Sequence, residues 1–147
     1  MYIPQENQTK ITTNMAYLEL IIAAAAAFML GFGWYTALFG KAWQAETGMS
    51  DEDAGKDMLR THGIAFLMMV ILAYALNYII GFHPVEEQTF VHGLFHGAMA
   101  AAQYAVPAIT IHYAYQRKSL KLFAIDAGYL IIFMALMGGI LSALKLG

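Results

Sequence analysis

Four long apolar stretches dominate the chain, at roughly 15–39, 62–82, 90–113 and 122–144. A helix needs about 20 mostly apolar residues to cross the hydrocarbon core of a bilayer, and each stretch supplies them. Inside lipid every backbone amide must be bonded within its own segment or a closed barrel, so runs of this length read as helices. Charged residues make up only 12% of the 147 and sit almost entirely between the stretches; a soluble domain carries about a quarter. The pattern predicts an all-α integral membrane protein, a four-helix up-down bundle. The short connections leave no room for a second domain, so 1–147 reads as one four-span unit.

Composition removes several function classes. The chain has no cysteine, which excludes thiol chemistry, disulfides and Cys-ligated zinc or iron–sulfur sites. The formal net charge is −2, and no basic patch is large enough to suggest nucleic acid. The serines are Ser50, Ser119 and Ser142, and none lies in a G-x-S-x-G elbow. A phosphate-binding glycine loop is also missing. The expectation is a non-enzyme. Residues 1–14 are polar, and Gly33-Trp34-Tyr35 ends the first stretch where a signal peptide would have a small-residue cleavage site. Span one is therefore expected to be retained.

Basic residues fall unevenly. The first link holds Lys41, Lys56 and Arg60, and the third holds Arg117, Lys118 and Lys121. The second has only Glu86 and Glu87, while Lys10 and Lys145 lie near the termini. The positive-inside rule places links 40–61 and 114–121 in the cytoplasm, with the middle link and both termini outside. Trp34, Tyr35 and Trp43, and then Tyr113 and Tyr115, flank the inner ends of spans one and three, where amphipathic rings favour the headgroup level. Ser50-x-x-Asp53 has the form of a helix N-terminal cap. Asp51, Glu52 and Asp53 suit the positive end of the dipole, so a helix is expected from near Asp51, with a possible continuation into span two.

Two separated segments carry a family resemblance. The first is Gly31-x-Gly33-Trp34-Tyr35 followed by Leu38-Phe39-Gly40-Lys41-Ala42-Trp43. The second is Arg117-Lys118-Ser119-x-Lys121-x-Phe123-x-Ile125-Asp126-Ala127-Gly128-Tyr129, then Met137-Gly138-Gly139-Ile140. Together they resemble the bacterial "domain of unknown function 1761" family, and His92-Gly93-x-x-His96-Gly97 is similar to a segment in some members. The resemblance implies a small four-span protein of the bacterial inner membrane and no particular activity. It also implies that Asn can stand where this chain has Asp126.

Polar residues inside the spans are costly to insert and are the natural functional candidates. In span three His92, His96, Met99, Gln103, Val106 and Thr110 recur at alternating spacings of four and three, which makes one stripe on a helix. That stripe is expected to face the bundle interior or a subunit interface. Pro107 has no N–H for the carbonyl of Gln103, so a kink and a free acceptor are expected there. By depth, Glu19, Asn77, His92 and His96 form an outer layer, and His62, His112 and Asp126 an inner one. A Glu–His pair in low dielectric can hold or pass a proton. The same groups can equally satisfy one another between helices.

His92 and His96, four residues apart, could also ligate a divalent metal with Glu19 as third ligand, though Leu94 and Phe95 between them rule out an H-E-x-x-H motif. His62 and His112 are candidates for axial haem ligands. The 10 methionines, Met68, Met69, Met134 and Met137 among them, read as flexible packing. Small residues four apart let helices approach closely. They occur as Ala23, Ala27 and Gly31 on span one, as Gly93, Gly97, Ala101 and Ala105 on span three, and as Ala135, Gly139 and Ala143 on span four. These contacts could serve internal packing or a homo-oligomer. The leading expectation is a membrane protein without a cofactor that moves or senses a small solute or proton through Glu19, Asn77, His92, His96 and Gln103, with Asp126 at the inner mouth. An accessory subunit of a larger membrane complex and a metal- or haem-binding protein are the alternatives.

Overall fold

The computed structural model describes residues 5–144, with side chains from Tyr17 onward apart from Asp51 and Ala54. Lys10 and Lys145, on which part of the orientation expectation rests, lie outside the described side chains. Four helical spans run up and down. Span one is α1 (Gln5–Gly33) extended by a π-turn at Trp34–Leu38, and span two is α4 (Met58–Ile80). Span three is α5 (Phe90–Ala100), a second π-turn at Ala101–Ala105 and α6 (Val106–Gln116), and span four is α7 (Leu120–Leu144). Each is long and apolar enough to cross a membrane. The first link folds into α2 (Gly40–Thr47) and α3 (Asp51–Gly55).

Local chemistry sets the breaks. The Ser50 hydroxyl accepts the Asp53 N–H at 3.1 Å and donates to the Asp53 carboxylate at 2.7 Å, the reciprocal cap expected at that site. The helix it starts does not continue into span two. It stops at Gly55, where Lys56 turns extended and Asp57 then takes a left-handed backbone (φ 52) before α4 begins. Gly48 (φ 71) closes α2, a position where glycine carries no Cβ penalty.

Span four is the hub, with 56% of its most apolar window buried against 17% in spans two and three. Span one packs on spans two and four, and span three packs chiefly along span four and meets span two mainly through α5. The closest approach is between α5 and α7. A Cβ on Gly93 would strike the Gly138 carbonyl, and one on Gly97 would lie 2.7 Å from the carbonyl carbon of Met134. Ala23 and Ala27 are fully buried at the span-one contact, Gly31 lies under the Tyr129 ring, and Ala101 and Ala135 are buried too. Gly139 faces the Phe90 ring. These small residues are therefore taken up inside one chain; Ala143 alone of those named is exposed, with Ala105 half-buried. Leu20, Leu76, Ile80, Phe133, Met134, Met137 and Leu141 fill the space between.

Candidate metal centre

At the end of the bundle away from the basic links, the chain turns from span two to span three within residues 81–89. The turn is well bonded. The Gly81 N–H donates to Asn77, the His83 N–H to Ile80 at 3.0 Å, and the Gln88 side-chain amide to the His83 carbonyl at 2.7 Å. Thr89 then caps α5, its hydroxyl accepting the His92 N–H at 3.3 Å. These bonds hold His83 over the first two turns of α5, where His92 and His96 stand one turn apart.

The three imidazoles form one cluster. Ring centroids are 4.7 Å apart for His83–His92, 4.2 Å for His83–His96 and 4.4 Å for His92–His96. One nitrogen from each lies within 4.8 Å of the other two, and all three side chains are half-buried. His92 Nε2 and His96 Nδ1 are buried without a hydrogen-bond partner. Such orphaned polar atoms cost about 1–3 kcal/mol each. A tetrahedral ion with Zn–N bonds of about 2.1 Å would need its nitrogens about 3.4 Å apart, against the 4.8 Å within which these three lie.

His83 is the member that sequence reasoning missed, because it lies in a loop outside any helical stripe. The signal was depth: it comes just after the end of span two away from the basic links and so falls level with the first turn of span three. It stands beside His92 and His96, where Glu19 was expected. Glu19 is 3% exposed on span one, which packs against spans two and four, and its carboxylate is not in the histidine group. Asn77 is half-buried on α4 and contributes its backbone carbonyl to the turn.

The rest of the expected relay is dispersed. Gln103 sits in the second π-turn and is exposed, as is Thr110, whose hydroxyl returns to the Val106 carbonyl at 2.6 Å. Between the two ends the interior is apolar, and a cavity of about 330 Å³ is lined by Leu72, Leu76, Ile79, Tyr104 and Met134 among others. His62 is exposed, with Nδ1 2.8 Å from the Met58 carbonyl and its ring against Phe28. His112 is also exposed, and among the described residues no ring contact joins the two.

Asp126 belongs to a different constellation, at the basic-link end. Its carboxylate accepts from Tyr35 at 2.7 Å and from Tyr113. One residue away, the Trp34 indole N–H donates to the Ile125 carbonyl at 3.1 Å. The Tyr35 ring also contacts Trp43 and Tyr129. This aromatic knot ties spans one, three and four together. Outside the membrane, Glu46 on α2 receives Ser119 and lies 3.4 Å from Lys121. Those partners, the Ser119 hydroxyl first, hold its carboxyl below the usual range.

A family model described as "Protein of unknown function (DUF1761)" matches residues 18–142. No curated protein and no solved structure gives a significant match.

Proposed function

The chain belongs to this family of unknown function, with four helices long and apolar enough to cross a membrane, and on that premise we propose that it binds a divalent transition-metal ion through His83, His92 and His96. One observation carries the reading: three imidazoles converge from a loop and a helix, two of them with buried ring nitrogens that nothing else satisfies. Neutral imidazole donors suit zinc, copper(II), nickel or cobalt, whereas magnesium and calcium need oxygen ligands. Three protein ligands leave a fourth position open to water or to an exchanging group. An open, half-buried site suits an ion that is received, reported or released. Because His83 belongs to the interspan turn and the other two to span three, an ion would tie the turn to the helix. That is a means of sensing occupancy. The charge asymmetry of the links favours the outer face of the inner membrane for the site.

The test is titration of the purified, detergent-solubilised chain with Zn²⁺ by calorimetry and with Co²⁺ by visible absorption. One ion per chain and a tetrahedral cobalt spectrum are expected, lost in His83→Ala, His92→Ala and His96→Ala and kept in His62→Ala and His112→Ala. Binding that survives the combined removal of all three would refute the assignment.

A further inference from the structure

Gln103 lies midway between Phe90 and Gln116, the ends of span three, and therefore at the centre of the membrane. Its side chain is exposed and makes no hydrogen bond to any described residue. The backbone beside it is also short of donors. The Val106 N–H reaches back five residues to the Ala101 carbonyl instead of four to Ala102, and Pro107 has no N–H for the carbonyl of Gln103. Two consecutive carbonyls thus lack their α-helical donors next to a free primary amide, with Ala102 and Gln103 both on the outer surface. Acyl chains can bond none of these groups, and each unsatisfied group in hydrocarbon costs several kcal/mol.

We propose that this face of span three is the contact with a second copy of the same chain. The chemistry selects that partner. Copies inserted in the same orientation and related by a two-fold axis along the membrane normal place identical residues at identical depth. Gln103 of one copy then meets Gln103 of the other at the midplane. A primary amide has two donors and one acceptor oxygen, so the pair bonds reciprocally and has N–H groups left for the carbonyls of Ala102 and Gln103, which lack their α-helical donors. The small-residue contacts of spans one, three and four cannot serve instead, because they are consumed inside the chain. This interface stands apart from the histidine cluster, so it holds or fails independently of metal binding.

The full chain in phosphatidylcholine vesicles, labelled for energy transfer and diluted with lipid, reads self-association directly. Wild type is expected to form dimers, and Gln103→Leu to need roughly tenfold more chain per lipid to do so, the scale of one or two interhelical hydrogen bonds in a bilayer. Gln103→Asn should keep most of the association. Gln103→Leu makes a lipid-facing position apolar, and unchanged helicity and melting confirm that its monomer is intact. The cysteine-free chain allows a second readout. Ala102→Cys should cross-link under mild oxidation, and Ile132→Cys on the exposed face of span four should not. A wild type that stays monomeric at every dilution overturns the proposal, as does Gln103→Leu associating like wild type.

Discussion

Replacing Gly97 by alanine probes the contact on which the placement of span three depends. The added Cβ would sit 2.7 Å from the Met134 carbonyl carbon and 3.0 Å from the Ala135 Cα. Comfortable carbon–carbon separations are about 3.5–4.0 Å, so α5 and α7 must part by about 1 Å. Backbone lies on the far side, so no side chain can swing away to relieve the clash. Overpacking of this kind costs about 1–3 kcal/mol. Parting also loosens the neighbouring Gly93–Gly138 contact, whose Cα–H···O interactions are worth about 0.5–1 kcal/mol each. Against this stands the better helix propensity of alanine, about 1 kcal/mol. The net expectation is a loss of about 2 kcal/mol. Gly63 is the internal control. It lies in α4 with open space around its Cα, so Gly63→Ala should be neutral or stabilising by up to about 1 kcal/mol. Unfolding in mixed micelles, followed by circular dichroism, ranks the variants. Because His96 adjoins Gly97, the shifted helix should also bind Co²⁺ more weakly. A Gly97→Ala protein as stable as Gly63→Ala would sink the claim that the two backbones are in contact.

Asp126→Leu leaves two phenols on spans one and three without an acceptor and should cost about 1–3 kcal/mol in the same assay. Asp126→Asn keeps a carbonyl oxygen for Tyr35 or Tyr113 and should lose less. The lowered Glu46 carboxyl makes the tie between α2 and the start of α7 pH-dependent. A depressed acid contributes fully above its unfolded value, about 4.3, and the contribution fades as pH falls through the still lower folded value. Protease cleavage within residues 40–57 should therefore rise only in strong acid, and Glu46→Gln should cleave readily at neutral pH as well. Ser50→Ala removes the cap on α3 and should speed amide exchange across Asp51–Gly55, with a local loss of about 1 kcal/mol. Unchanged exchange there would mean that the cap contributes nothing.

The spans were legible because lipid imposes one strong rule on length and polarity, and the helices obey it. Span three shows where the rule of even spacing ends. A polar stripe from His92 to Thr110 assumes an unbroken α-helical period. The π-turn at Ala101–Ala105 inserts one extra residue, which rotates the remainder of the span by about a quarter of a turn. His92 and His96, before the insertion, face the turn that carries His83, whereas Gln103 and Thr110 face outward. Pro107 signalled a disturbance but not its sense. Glu19 falls in line with the small residues of span one, which points to a closed contact, yet nothing in sequence spacing shows that spans two and four are the neighbours there. A lone histidine ahead of a proline, as at His83, has no periodicity to read; only the fold gives it companions.

The two family signatures meet in space, at the Trp34–Ile125 and Tyr35–Asp126 bonds, on the far side of the bilayer from the imidazoles. They form a clasp that sets spans one and four in place at the rim opposite the three imidazoles.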